Sequence, residues 1–407
     1  MLTLEEAQTR LIGLATKCSV EEVPTDQALG HRLARDVPAV RTQPASDLSA
    51  MDGYAICGDG PWLQTGESRA GAPFEGTLSN SECTRISTGA HLPAGSDRVL
   101  IQENASVADN RVRLLEDQKA PEPGQHVRKA GFDFSAGDIL LKGGTMIGPP
   151  QIALAISGGL GTLPVYAAPT IAVLDSGDEL VRLPGEIADH QIPASNGPML
   201  RAMLAPTAGQ AKLLGPVPDD LDALAIALKQ ADDCDIVITS GGASVGDHDL
   251  IQQALRDWGA EIDFWKVAIK PGKPLMVATR ETGGRVQVIL GLPGNPVSSF
   301  VTCYLFALPV IRSMMGDSTP LPISETMVSA HVLPAGGARD EFLRAVSDGK
   351  TVALVGPQDS SALRSLAISN CLIFRPAGCP RAASGETVQG YWLENGGKRG
   401  NLVPHSA

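Results

Sequence analysis

At 407 residues the chain exceeds one ordinary hydrophobic core, so roughly two to four domains are expected at about 100 to 200 residues each. Its 43% hydrophobic content is that of a globular protein, and a formal net charge of -12 gives no sign of a nucleic-acid partner. Seven scattered cysteines, an odd total without a CxxC pair, argue against a disulfide framework or zinc site and for a reducing, cytoplasmic setting.

The amino terminus, MLTLEEAQTRL, predicts an amphipathic helix with acids in its first turn and lacks the basic and apolar regions of a signal peptide. Residues 1 to 30 read as helical, with an early break at Pro24 and Thr25. From 31 to 140, short β-like runs such as DRVLIQ and RVRLL alternate with turn signals such as LPAGSD and ADN, which predicts an inserted all-β domain. Pro150 to Ser157 predicts a helix ended by Gly158 and Gly159, and residues 141 to 168 are expected to rejoin the amino-terminal helix as a helical linker region.

From Pro169 to about Met315 strand-like runs alternate with helical ones: TIAVLDS, a helix after Ser195, QAKLLG, DDLDALAIALKQA, CDIVITS, HDLIQQALRDW, FWKVAIK, PLMVAT, VQVIL, and a helix from Pro296. That order predicts a mostly parallel sheet covered on both faces, with its site at the carboxyl ends of the strands. FVTCYLFALPVI (Phe300 to Ile311) contains Pro309 and falls short of the ~20 residues that cross a bilayer, so it reads as a core helix and no membrane partner is expected. Residues 316 to 407 return to β-like runs (TMVSAHVL, EFLRAVS, TVALVG, CLIFRPA, TVQGYWL) and predict a separate carboxyl-terminal β-barrel, with a frayed tail. The fold class expected is α/β plus β in four parts: 1–30 with 141–168, 31–140, 169–315 and 316–407.

Chemistry concentrates between Ser240 and Phe300, where SGGASVGDHD, KPGKP and GLPGNPVSSF each sit beside an apolar strand-like run. Strand, glycine turn and helix together point backbone N–H groups at an anion, which singles out Ser240, Gly241 and Gly242 after CDIVIT, and Pro293, Gly294 and Asn295 after VQVIL. Asn295 fits a helix N-cap and Pro296 the first helical position. In an extended FWKVAIKPGKP, Lys266, Ala268 and Lys270 would share a face, with Lys273 and Pro274 following a turn. The cluster is a local basic field in an acidic chain, although a single lysine there would be an ordinary solvated charge.

Asp178 and Glu179 follow the strand IAVLDS directly, and two carboxylates beside an anion cradle suit a Mg²⁺ bridge to phosphate oxygens. The plainer reading is a turn cap at Asp178 and a solvated Glu179. Asp247 and Asp249 are equally open between helix-dipole partners and metal ligands. Asp52 before Gly53 is also what a hairpin turn ahead of a strand looks like.

SAMDGYAI, DSGDEL, SNGPML, SGGASVGDHD, KPGKP and GLPGNPVSSF occur in the order seen in the MoeA family of molybdopterin molybdenumtransferases, which the chain resembles from about residue 1 to about residue 400. The resemblance implies Mg²⁺-dependent cleavage of adenylylated molybdopterin with insertion of molybdate into the dithiolene, giving molybdenum cofactor and AMP. It implies a homodimer whose site is shared between subunits, and a molybdopterin adenylyltransferase as a partner. By motif position it points to Asp52, Thr88, Asp133, Glu179, Asp219 and Asp249 as catalytic positions. Lys266, Lys270 and Lys273 with Ser298 form its implied oxyanion set, and Arg339, Arg344 and Ser361 its contribution from the carboxyl-terminal domain. Two positions depart from the pattern: Asp175-Ser176 stands where Ser-Thr is usual, and Phe132 precedes Asp133 where Glu is common. Two other readings belong to different classes: a molybdopterin adenylyltransferase or related nucleotide enzyme on the same module, and a gephyrin-like scaffold without turnover.

Overall fold

The computed structural model describes residues 1–183, 185–208, 211–241 and 250–393. Helix α1 (Leu4–Gly13) opens the chain with a capping box, in which Thr3 Oγ1 accepts the Glu6 N–H at 3.2 Å and Glu6 Oε2 accepts the Thr3 N–H at 2.8 Å. The helix is shorter than the reading of residues 1 to 30. Val20–Pro24, with two valines and a proline, is extended, and Thr25–Gln27 makes a single 3-10 turn.

Two compact units make up the chain: Met1–Glu21 with Gly30–Arg32 and Tyr166–Ala407, and Glu22–Leu29 with Leu33–Val165. This division puts α1 with the residues after 166, whereas the sequence grouped residues 1–30 with 141–168. The smaller unit carries α2 (Pro149–Ser157), which stops at Gly158 and Gly159. It also holds a six-stranded sheet of β1 (Gly53–Cys57), β2 (Trp62–Ser68), β3 (Glu82–Ile86), β4 (Arg98–Ile101), β5 (Ala105–Ala108) and β6 (Arg111–Leu114), in the order β4-β1-β3-β2-β6-β5. Alternation along β1 places Tyr54 and Ile56 in one core and Ala55 in another. β5 and β6 are joined through Asp109 and Asn110, both at positive φ, the conformation a tight two-residue hairpin turn demands.

In the larger unit the central sheet contains β7 (Ile171–Ser176), β8 (Lys212–Val217), β9 (Ile236–Ser240), β10 (Glu261–Lys266), β11 (Pro274–Thr282) and β12 (Arg285–Leu292), in the order β8-β7-β9-β12-β11-β10. β8, β7, β9 and β12 run parallel, while β11 returns antiparallel to both β12 and β10. Both faces are buried. Ile171, Val173, Ile236 and Ile238 face α3 (Asn196–Ala208) and α1, while Ala172, Leu174 and Val237 pack against α4 (Leu221–Lys229) and α5 (Leu250–Asp257).

The longest helix, α6 (Pro296–Met314), is long and apolar enough to cross a membrane by length and composition, but 89% of its most apolar stretch is buried inside the protein. It contains a π-helical turn at Cys303–Ala307, just before Pro309. Pro309 has no N–H to offer the Leu305 carbonyl four residues earlier. Gln8 of α1 donates its Nε2–H to that carbonyl at 3.0 Å, and Ala7 and Leu11 join the same core.

The last five strands, β13 (Ser324–Ser329), β14 (Asp340–Ser347), β15 (Thr351–Leu354), β16 (Cys371–Arg375) and β17 (Thr387–Trp392), close in the order β14-β15-β13-β17-β16 and back to β14. The barrel interior holds Met327, Leu343, Ala345, Val352, Cys371 and Ile373, and Phe342, Leu372 and Phe374 on the alternate face pack into the core around α6. All seven cysteines are free thiols.

Replacing Gln8 with Leu keeps the packing volume but leaves the Leu305 carbonyl buried without a donor. A loss of about 1–3 kcal/mol is expected, seen as a lower denaturation midpoint; an unchanged midpoint would show that this side chain does not support α6.

Candidate functional site

Parallel register sets the site. Asp175 of β7 lies beside Ser240 of β9, and Ser240 beside Leu292 of β12, so the loops after these three strands leave the sheet side by side. A cavity of about 400 Å³ opens between them. Among the sequence-predicted residues, Glu179, Ser240, Gly241, Pro293, Gly294 and Asn295 line it, together with Asp175, Ser176, Asn196 and Pro296. Gly242, Asp247 and Asp249 lie outside the described residues.

Asn196, quoted in the sequence only as part of SNGPML, braces this crevice. Its Nδ2 donates to Ser240 Oγ at 2.8 Å and to the Gly294 carbonyl at 2.7 Å, joining the loops after β9 and β12 to the start of α3. Asp175, noted only as a departure from pattern, is 2% exposed and accepts the Gly197 N–H on Oδ2 at 2.8 Å. Burial raises its carboxyl above the ordinary range, while the Gly197 N–H and the Ser240 hydroxyl pull the other way. A buried acid inside an apolar strand leaves little sequence signal beyond its unexpected charge.

The glycine-loop amides are engaged more than the sequence implies. Gly241, at φ 114° in a region that favours glycine, donates its N–H to the Leu292 carbonyl at 3.0 Å. Asn295 occupies the N-cap position of α6 with Pro296 first in the helix, yet its side chain makes no cap hydrogen bond. Its Nδ2 instead donates to Ser360 Oγ at 3.2 Å, and the Val297 N–H donates to the Ser360 carbonyl at 3.2 Å.

The acids flank the cavity. Asp178 Oδ1 accepts the Asp219 N–H at 3.0 Å, so Asp178 does hold a turn amide. Burial and then the negative charges of Asp178 and Glu179 raise the Asp219 carboxyl above its usual value. Among the described residues, no group of three or more His, Cys, Asp or Glu side chains is gathered closely enough to hold a metal by itself.

The lysines differ from the extended-strand expectation. β10 ends at Lys266, opposite Pro274, and Ile269–Lys270 leaves the central sheet to pair with Asp340 and Glu341 of β14. One continuous strand therefore does not present Lys266 and Lys270 on a common face. All three lysines are exposed, none lines the cavity, and Lys270 Nζ donates to Glu341 Oε1 at 2.9 Å. Ser298 is buried in the first turn of α6, where its carbonyl accepts the Thr302 hydroxyl at 2.7 Å.

From the barrel, Arg339 donates to the Ile269 carbonyl at 3.0 Å. Arg344 is 1% exposed and donates to the carbonyls of Pro357 and Asp359 at 3.1 and 2.8 Å, and burial lowers its pKa. Asp359 in turn accepts the Ser361 N–H at 2.9 Å and its hydroxyl at 2.6 Å. The loop carrying Ser360 is thus fastened by a buried side chain on the barrel face that packs toward α6.

In the smaller unit, Asp52 directly precedes β1, and its Oδ1 accepts both the Thr88 N–H at 2.7 Å and the Thr88 hydroxyl at 3.1 Å. These bonds hold the Asp52 carboxyl below its usual range. Asp133 is exposed, and its N–H donates to the Gln43 carbonyl at 3.0 Å.

Three family models match the chain: "MoeA N-terminal region (domain I and II)" over residues 2–159, "Probable molybdopterin binding domain" over 172–313, and "MoeA C-terminal region (domain IV)" over 327–393. A molybdopterin molybdenumtransferase of Haemophilus influenzae is 32% identical over 404 residues, 95% of this chain and 98% of that protein. One from Nostoc is 34% identical over 378 residues, 89% of this chain and 86% of its own. The crystal structure of the molybdopterin biosynthesis MoeA protein from Pyrococcus horikosii is 26% identical, covers 97% of this chain and 100% of its own, and superposes with a TM-score of 0.82. Matched in this way along nearly its whole length, the chain belongs to the MoeA family of molybdopterin molybdenumtransferases.

Proposed function

We propose that the chain is a molybdopterin molybdenumtransferase of molybdenum cofactor biosynthesis, acting on adenylylated molybdopterin and molybdate and releasing AMP. The observation that carries this reading is the alignment, over nearly the full length of both chains, with relatives of that name. The reading retains a four-part domain division, a cytoplasmic setting, and supply of the adenylylated pterin by a molybdopterin adenylyltransferase.

The cavity at the sheet edge would take the pterin-bearing substrate, with Ser240, Gly241, Pro293, Gly294 and Asn295 as its walls. Lys266, Lys270 and Lys273, exposed on the segment that runs toward the barrel, would attract molybdate and the phosphates, Lys270 exchanging Glu341 for an anion. Arg339, Arg344 and Ser361 would act by holding the Ile269 carbonyl and the loop at 357–361. Asp52, oriented by Thr88, and Asp133 would complete the site from the second subunit of a homodimer.

The donor set fits a divalent cation. Burial and then the charges of Asp178 and Glu179 raise the Asp219 carboxyl, and Mg²⁺ commonly takes one or two protein carboxylates with water and phosphate as its other ligands. Glu179 with Asp178 would hold it, joined in this reading by Asp247 and Asp249. When bound, the ion would neutralise charge on the phosphate oxygens.

The test is incubation of the protein with adenylylated molybdopterin, Mg²⁺ and molybdate. AMP release that requires molybdate supports the transferase. Consumption of AMP with formation of ATP supports an adenylyltransferase, and no turnover a scaffold. Replacing Lys270 and Lys273 together with Ala should weaken molybdate dependence by about 10- to 100-fold, as loss of charge-assisted bonds to an anion requires. Asp52→Ala should remain dimeric by light scattering yet lose at least about tenfold in turnover; full turnover would remove Asp52 from the site. Mg²⁺ should raise the thermal midpoint of the wild-type protein, and Glu179→Gln should remove most of that rise. An equal rise in both proteins would place the ion elsewhere.

A further inference from the structure

Among the described residues, Asp175 and Asn196 leave two hydrogen-bond acceptors unused beside one cavity. Asp175 is almost completely buried at the carboxyl end of β7, and while its Oδ2 holds the Gly197 N–H, its Oδ1 has no hydrogen-bond partner among the described residues. The backbone packs tightly here: a Cβ on Gly197 would lie 2.3 Å from that Oδ2. The neighbouring Ser240 Oγ accepts from Asn196, and no bond of ordinary geometry closes from it onto Asp175 Oδ1. Asn196 has a determined orientation, because its Nδ2 donates to both Ser240 Oγ and the Gly294 carbonyl. Its Oδ1 is consequently turned away from those partners, and it too is buried without one.

Buried polar atoms in folded proteins are with few exceptions hydrogen-bonded, so two acceptors unmatched among the described residues, both on side chains that line one cavity, suit a ligand that brings donors. The requirement is selective. A phosphate or an oxoanion offers only acceptors and would be repelled by the carboxylate oxygen, whereas a ring edge bearing N–H and NH₂ groups offers what both oxygens lack. The cavity of about 400 Å³ has room for a bicyclic ring.

We propose that Asp175 and Asn196 are specificity-determining residues that read the aminopyrimidinone edge of the pterin ring, Asp175 Oδ1 accepting from the exocyclic amine and Asn196 Oδ1 from the adjacent ring N–H. The inference rests on the assignment of this cavity to the pterin-bearing substrate and goes beyond it by naming the edge that is read and the atoms that read it. It also separates two ligand chemistries in space, with the ring donors on the Asp175 side and the anionic groups toward the exposed lysines.

Two stable probes test it on the full-length protein: pterin-6-carboxylate, and lumazine-6-carboxylate, which carries an oxygen in place of the amine. Binding is read by fluorescence titration. The wild-type protein should prefer the amino compound by about tenfold or more, as sites built to hydrogen-bond a donor do. Asp175→Asn retains the shape and can hold Gly197 through its carbonyl, but it turns an NH₂ toward the ring, so the preference should reverse in favour of lumazine. Asn196→Ser should weaken both probes alike, since both carry the ring N–H. Retention of the wild-type preference in Asp175→Asn, or no preference in the wild type, overturns the proposal. Molybdate-dependent AMP release alongside either result leaves the transferase reading standing; its absence in the wild type fails that reading separately.

Discussion

The site depends on the side-by-side register of β7, β9 and β12, which delivers three loops to one edge, and on the Asn196 amide that then bridges them. Parallel strands alone would bring the loops near one another but would leave their spacing to chance. A single planar group with two donor bonds holds the end of β9 and the loop after β12 at distances set by hydrogen-bond length. The cavity wall is thereby built from regular structure and one short bridge, which is the kind of support a pre-organised site requires.

The same economy appears in the core. β7 sends Ile171 and Val173 to one side of the sheet and Ala172 and Leu174 to the other, so one short strand anchors two separate helical layers. Where the sequence breaks regularity, a polar partner is present. Pro309 interrupts the hydrogen-bond ladder of the most buried helix, and Gln8 reaches the carbonyl it would otherwise have served. The acids show the opposite case, in which charges are crowded: burial and two neighbouring carboxylates raise the Asp219 carboxyl above its usual value.

Much of this was legible in the order of residues. Apolar runs alternating with helical patterns indicated the central sheet, and all five β-like runs after residue 316 became strands of the barrel. The loops that follow the buried strands β9 and β12 directly line the cavity at Ser240, Gly241, Pro293 and Gly294, whereas KPGKP does not. Local patterns fell short where a residue's partner is distant in sequence. The segment Lys266 to Lys270 has the alternation of one strand, but pairing with β14 draws its second half into another sheet. Asn295 has the identity of an N-cap, yet Ser360 takes its side chain. Arg344, implied only as a contributor from the carboxyl-terminal domain, is a buried brace whose partner carbonyls no spacing rule connects to it. Asp175 and Asn196 were visible as letters, but their roles come from burial and from atoms without partners, which exist only in three dimensions.

The clasp between Ser360 and the start of α6 has a consequence for how the molecule comes into being. A ribosome releases the strands and loops that surround the cavity well before it releases residues 357 to 361, whose carbonyls Arg344 gathers on the barrel face toward α6. Until that late segment emerges and closes on the Val297 amide, the crevice has its floor but lacks the support behind Asn295. The residues that line the crevice thus precede in the chain the loop that braces Asn295 and Val297, and the last support to be synthesised is the one farthest along the sequence.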